Sequence, residues 1–175
     1  TGQLETRVSL DREAVPSYIV VVTATDAGHP PLSRNMTVQI FLEDVNDVSP
    51  RISNPIQNCT LSEDSERGEV CVCFSVIDPD IGANADVAYT ILGSNSSIFA
   101  INSSTGCLIL NGTLDADGDS RDSFDLTVRV FNPNRPQAFS LGFVAVSVSD
   151  INDNSPLVRV IPAMVHLLEN AVNGT

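Results

Sequence analysis

Hydrophobic and polar positions alternate along most of this 175-residue chain. Tyr18, Val20, Val22 and Ala24 fall on one side of an extended segment; Met36, Val38, Ile40 and Leu42 do the same in the next, with Thr37 and Gln39 on the opposite side. A period of two is the mark of a strand with one face against a core, and helical spacing is nearly absent. Asp26-Ala27-Gly28-His29-Pro30-Pro31 separates the two segments and reads as a loop. Further on, Leu61 to Ile77 predicts two short strands turning at Arg67-Gly68. Ala88 to Leu92, Phe99 to Ile101 and Cys107 to Leu110 predict three more. Phe124, Leu126, Val128 and Val130, then Val144, Val146 and Val148, alternate inward again. About three strands before residue 44 and about seven between 51 and 149, with turn signals between them, read as all-β, antiparallel sandwiches.

The pattern also repeats at long range. Asp44-Val45-Asn46-Asp47-Val48-Ser49-Pro50 returns as Asp150-Ile151-Asn152-Asp153-Asn154-Ser155-Pro156, a shift of 106 residues. Thr1-Gly2-Gln3-Leu4 corresponds to Thr105-Gly106-Cys107-Leu108, and Leu10-Asp11-Arg12-Glu13 to Leu114-Asp115-Ala116-Asp117, both shifted by 104. Two residues are therefore inserted between Gly118 and Ser123. Glu63 follows Asp47 by 16 residues, and Glu169 follows Asp153 by 16. Self-similarity at a domain-sized period indicates tandem repeats. The expected organisation is the back half of one repeat (1–43), a linker (44–50), a complete repeat (51–149), a second linker (150–156) and the first strand of a third repeat (157–175).

Charge adds chemistry to this pattern. The net charge is −13, and all nine cationic residues are Arg. No basic patch is present, so nucleic acid and anionic membrane are excluded as partners. The acids recur in register at the linkers, where Asp and Asn offer hard oxygen donors and the intervening residues can turn carbonyls inward. Calcium takes six to eight such oxygens. No run of residues is apolar enough to span a bilayer. Six Asn-x-Ser/Thr acceptors, at Asn35, Asn58, Asn95, Asn102, Asn111 and Asn173, point to a secreted or extracellular protein. Four cysteines, Cys59, Cys71, Cys73 and Cys107, suit disulfides in that compartment. Cys71 and Cys73 lie two apart on one predicted strand and do not pair with each other. Each is left to pair with Cys59 or Cys107, and Cys59 is expected to bond Cys71 or Cys73. A lone Cys-x-Cys with both histidines distant does not fit zinc.

Taken together, the linker and its copy, Leu10-Asp11-Arg12-Glu13, Asp78-Pro79-Asp80-Ile81-Gly82-Ala83-Asn84-Ala85 and Thr23-Ala24-Thr25-Asp26-Ala27-Gly28 resemble the extracellular cadherin repeat over essentially the whole chain. The resemblance is to a non-classical, many-repeat member. It implies tandem antiparallel Greek-key β-sandwiches joined by calcium-binding linkers, usually with three calcium ions per junction stiffening a rod used in cell–cell adhesion. For the first junction it implies Asp11, Glu13, Asp44, Asn46, Asp47, Asp78 and Asp80, with the carbonyls of Val45, Val48 and Asn84. For the second it implies Glu63, Asp115, Asp117, Asp150, Asn152 and Asp153, with the carbonyls of Ile151 and Asn154. Asp26 would serve a junction further upstream, and Glu169 is the counterpart of Glu63. Two positions depart from the pattern: Asp117 stands where Glu is usual, and Asn132 stands where Asp26 predicts Asp. Asn132 is expected to weaken one ion, the alternative being a turn role in Asn132-Pro133-Asn134.

The resemblance further implies an ectodomain outside the plasma membrane, in a single-pass parent, whose partner is another cadherin-type ectodomain, homophilic or heterophilic. A passive calcium-stiffened spacer is the alternative, with a carbohydrate-active enzyme or its accessory sandwich as a remote one. Asp115-Ala116-Asp117-Gly118-Asp119 imitates an EF-hand start, but Ser120 occupies the glycine position and Leu126 the glutamate position. No nucleophile elbow, metalloprotease motif or phosphate loop occurs, and the carboxylate pairs lie at repeat boundaries rather than in a cleft. No enzymatic activity is expected.

Overall fold

The computed structural model describes residues 2–93, 97–117, 122–157, 166 and 169–170. Most of the strand expected over 157–175, the acceptors Asn95 and Asn173, and most of the insertion after Asp117 lie outside the described residues. Before the first linker there are two strands rather than three. β1 (Ser17–Thr25) and β2 (Ser33–Phe41) form an antiparallel hairpin with Val20 opposite Val38 and Val22 opposite Met36. Among the described residues, Gly2 to Leu10 joins no ladder.

The described residues of 51–149 carry nine strands: β3 (Arg51–Ile52), β4 (Ile56–Ser62), β5 (Val70–Cys73), β6 (Val76–Ile77), β7 (Ala88–Leu92), β8 (Phe99–Ile101), β9 (Cys107–Leu110), β10 (Ser123–Asn132) and β11 (Arg135–Ser149). The bounds of β7, β8 and β9 follow the apolar runs. The stretch read as two strands between Leu61 and Ile77 is different. β4 starts earlier, at Ile56, because β11 offers it an edge to pair with, and β6 is added by its short pairing with β3.

One sheet has the order β4-β11-β10-β7 and faces a second of order β5-β9-β8, with β3-β6 as a small third ladder. Successive strands pass from sheet to sheet, at β4 to β5, β7 to β8 and β9 to β10, which makes a sandwich rather than a meander. Every ladder is antiparallel except β11 with β4, which is parallel. The core lies between the sheets. Phe124, Leu126, Val128 and Val130 of β10 and Val144, Val146 and Val148 of β11 point at Phe99, Leu108 and Leu110. Phe99 meets Phe124 edge to face, with ring centroids 5.3 Å apart. Each fully buried Val or Leu here contributes about 1.5–3 kcal/mol relative to exposure. Gly142 is required within β11, since a Cβ there would come within 2.5 Å of the Phe74 ring and 3.2 Å of Ile52.

Cys59 of β4 bonds Cys71 of β5, linking the two sheets, and Cys73 bonds Cys107 across the β5–β9 pair. A register irregularity between Val70 and Val72 leaves Cys71 without a ladder partner and free to reach the other sheet. Cys73 stays in register opposite Cys107.

Candidate metal centres

Each linker is an extended segment closed by the same tight turn. The Asp47 N–H donates to the Val45 carbonyl at 2.7 Å, and the Asp153 N–H donates to the Ile151 carbonyl at 2.7 Å. A carbonyl has two lone pairs, so both remain open to a second partner. Pro50 is buried and its carbonyl accepts a hydrogen bond from Ser140 Oγ at 2.8 Å, which anchors the end of the first linker to β11.

Around the first linker, carboxylate oxygens of Glu13, Asp47 and Asp80 lie within 4.8 Å of one another. These residues come from the turn before β1, the linker and the loop after β6. Asp80 is only 4% exposed, yet neither of its carboxylate oxygens has a hydrogen-bond partner. Asp78 Oδ2 and Asn46 Oδ1 are likewise buried and unpartnered. Burial pushes the Asp80 carboxyl above the usual range, and the neighbouring charges of Asp78, Asp44 and Glu13 push it further. Burying unsatisfied acceptors beside like charges is unfavourable unless a cation enters. All the donors are hard oxygens, which suits calcium rather than softer metals. The remaining oxygen of Asp78 accepts from the Asp80 N–H at 3.1 Å, and Asp11 Oδ1 accepts from the Ala14 N–H at 3.0 Å.

Asp44 stands apart from that cluster. Burial acts to raise its pKa, but hydrogen bonds from the Ile81 N–H, Asn84 Nδ2 and Arg12 outweigh it and the carboxyl is lowered. The Ile81 and Asn84 bonds reach the same oxygen, at 3.1 and 2.9 Å. Arg12 also donates to Glu13 and to the Pro79 carbonyl. Arg12 is not among the residues that the resemblance implies at this junction. Its signal was the contrast with Ala116 in the second copy.

Around the second linker, Glu63, Asp117 and Asp153 place carboxylate oxygens within 4.8 Å of one another. Glu63 is the organiser. One oxygen accepts from the Ala116 N–H at 2.9 Å and the other from the Ile151 N–H at 2.6 Å, which joins the loop after β9 to the linker. Those two bonds, from Ala116 first, hold its carboxyl below the usual range. Burial and the charge of Glu63 raise Asp117 instead. Asp115 caps the Asp117 N–H at 2.9 Å, and Asn154 donates to Asp117 and Asp153 through its side chain. Asp150 and Asn152 are exposed beside this group.

Asp26 belongs to neither cluster; its Oδ1 accepts from the Gly28 and Leu32 N–H groups at the end of the β1–β2 hairpin. Glu169 is exposed. Asn132 is fully buried at the end of β10, as the fifth inward position of the alternation that starts at Phe124.

A family model described as Cadherin domain matches residues 1–43 and 57–149. The chain belongs to the cadherin family. Among curated cadherin relatives, Protocadherin Fat 4 of Mus musculus is 36% identical over 168 residues, covering 95% of this chain and 3% of that protein. The Fat-like cadherin-related tumor suppressor homolog of Drosophila melanogaster is 34% identical over 174 residues, covering 99% of this chain and 4% of that protein. The chain thus spans only a few hundredths of the length of these relatives. Of solved cadherin structures, that of Protocadherin Gamma B2 extracellular cadherin domains 1-5 superposes with a TM-score of 0.76 at 30% identity, over 82% of this chain and 27% of that one. The all-β sandwich expected from strand alternation, and the cadherin-like form that the resemblance implied for it, are therefore the fold observed.

Proposed function

We propose that this chain is part of a calcium-dependent cell–cell adhesion ectodomain, in which ions at the junctions between repeats hold successive sandwiches in line. The observation that carries the reading is Asp80: a carboxylate 4% exposed, with both oxygens unpartnered, aimed at a cluster shared with Glu13 and Asp47. In this reading residues 1–43, 51–149 and 157–175 belong to three successive repeats, and 44–50 and 150–156 are the linkers. The first junction uses Asp11, Glu13, Asp44, Asn46, Asp47, Asp78, Asp80 and the carbonyls of Val45, Val48 and Asn84. The second uses Glu63, Asp115, Asp117, Asp150, Asn152, Asp153 and the carbonyls of Ile151 and Asn154.

Bound calcium would supply charge neutralisation and a shared set of oxygen ligands from three separate segments. Without it, the carboxylates gathered at each junction repel one another and the linker loosens. The partner is another cadherin-type ectodomain, and the parent is anchored in the plasma membrane with this segment outside. Two disulfides and the family of its relatives support that placement. Among the described residues no helix is long and apolar enough to cross a membrane. Small-angle scattering tests the reading: the maximum dimension should be sharply defined in millimolar calcium and should broaden in chelator. A profile indifferent to calcium would sink it.

A further inference from the structure

Asn132 and Asp26 occupy equivalent positions, 106 residues apart, each at the end of a hairpin strand. Each uses its Oδ1 to cap the turn that follows. Asp26 accepts from Gly28 at 3.0 Å and Leu32 at 2.8 Å; Asn132 accepts from Asn134 at 2.8 Å and Arg135 at 3.2 Å. The second terminal atom is where they differ. In Asn132 it is Nδ2, which donates to the Asn84 carbonyl and, at 3.4 Å, to the Ala83 carbonyl. An amide has two donor hydrogens and one oxygen with two lone pairs. All four positions are taken, in a side chain with 0% exposure.

The neighbours leave one orientation for this amide. Turning it over would set its NH2 against two N–H groups and its oxygen against two carbonyls, in a position closed to bulk solvent. A carboxylate can cap the turn with one oxygen and bind a cation with the other. An amide that caps the turn has no oxygen left. We propose that Asn132 stands in for a bound cation: its N–H groups draw in the Ala83 carbonyl and the Asn84 carbonyl, the second of which an ion would otherwise hold, and this corner of the junction assembles without calcium. The same turn is tied onward, since Asn84 Nδ2 and the Ile81 N–H both donate to Asp44. A bracket held without an ion therefore runs from β10 through the 81–84 turn to the linker, and on this inference the Asn84 carbonyl leaves the ligand set of the first junction while Asp44 serves the bracket through its Oδ2. The metal cluster of Glu13, Asp47 and Asp80 is a separate set of side chains.

The inference rests on the calcium reading only for the contrast between these two sets. Its test compares this 175-residue chain with its Asn132→Asp variant, by calcium titration calorimetry and by hydrogen exchange at the Ile81 and Asn84 amides. The variant should bind one calcium ion more than the parent. In chelator the parent's two amides should keep their protection, and the variant's should exchange at least about tenfold faster, the equivalent of one charge-assisted contact. Equal calcium numbers in two proteins that both bind calcium would overturn the inference. So would loss of the parent's protection on chelation, a result that needs no variant. Absence of calcium binding by both proteins would instead remove the junction reading, and the inference with it.

Discussion

Asp80 carries a charge in surroundings that have removed its water, and the Val48 N–H, the one group near it that favours the charge, does not offset that burial and the neighbouring acids. Two of its nearest influences, Asp78 and Asp44, are themselves acids. A group in that position destabilises the ion-free protein and gains most when a cation arrives. Asp80→Asn should therefore melt at a higher temperature than the parent in chelator, because a buried charge has gone. In calcium the order should reverse. One charge-assisted contact is about 1.5–3 kcal/mol, so calcium affinity at the first junction should fall by roughly tenfold to a hundredfold. Unchanged affinity in a calorimetric titration would remove Asp80 from the ligand set. Arg12 tempers the same corner from the other side, by giving Asp44 a fixed counter-charge that Ala116 denies the second junction.

At the level of elements, the two disulfides do different jobs. Cys73–Cys107 reinforces strands that are already hydrogen-bonded, whereas Cys59–Cys71 ties β4 in one sheet to β5 in the other. β4 is an edge strand joined to its sheet only by the parallel ladder with β11. The 12-residue separation closed by Cys59–Cys71 makes its loop-closure contribution about 3 kcal/mol. Replacing both cysteines by Ala should lower the urea midpoint of the 51–149 unit accordingly, and faster amide exchange should appear first in Ile56 to Ser62. A midpoint equal to that of the parent would show that the parallel ladder suffices without the covalent tie.

For the whole molecule, the weak points are the linkers. The 51–149 sandwich has a continuous core, while residues 44–50 and 150–156 are extended and include the exposed acids Asp47, Asp150 and Asp153. A protease that cuts after Asp and Glu should leave both linkers intact in millimolar calcium. In chelator it should cut after Asp47 and Asp153 before it enters the sandwich. Identical fragment patterns in the two conditions would mean that calcium does not order the linkers. The net charge of −13 works in the same direction, since removal of the cations leaves the acids at each junction unscreened.

The all-β class, the positions of β7 to β10 and of the second half of β11, the 106-residue repeat and the acids that converge at Asp47 and Asp153 were legible in the sequence. Each is a matter of spacing: alternation reports which side of a strand meets a core, and a repeated motif reports a repeated task. The alternation was read only as far as Val130; that it continues one step further and buries Asn132 is a finding of the structure. What spacing leaves open is which distant group a residue meets. Cys59 could bond Cys71 or Cys73 until an irregularity at Cys71 broke the ladder and released it toward β4, leaving Cys73 opposite Cys107. β4 begins at Ile56 because β11 lies beside it, and its parallel sense is set by that neighbour rather than by its own residues. For Asn132, a turn role and a ligand role were both open in the sequence. The tertiary structure brought two N–H groups to one end of its amide and two carbonyls to the other. An amide has a donor end and an acceptor end, and only the fold determines what each of them faces.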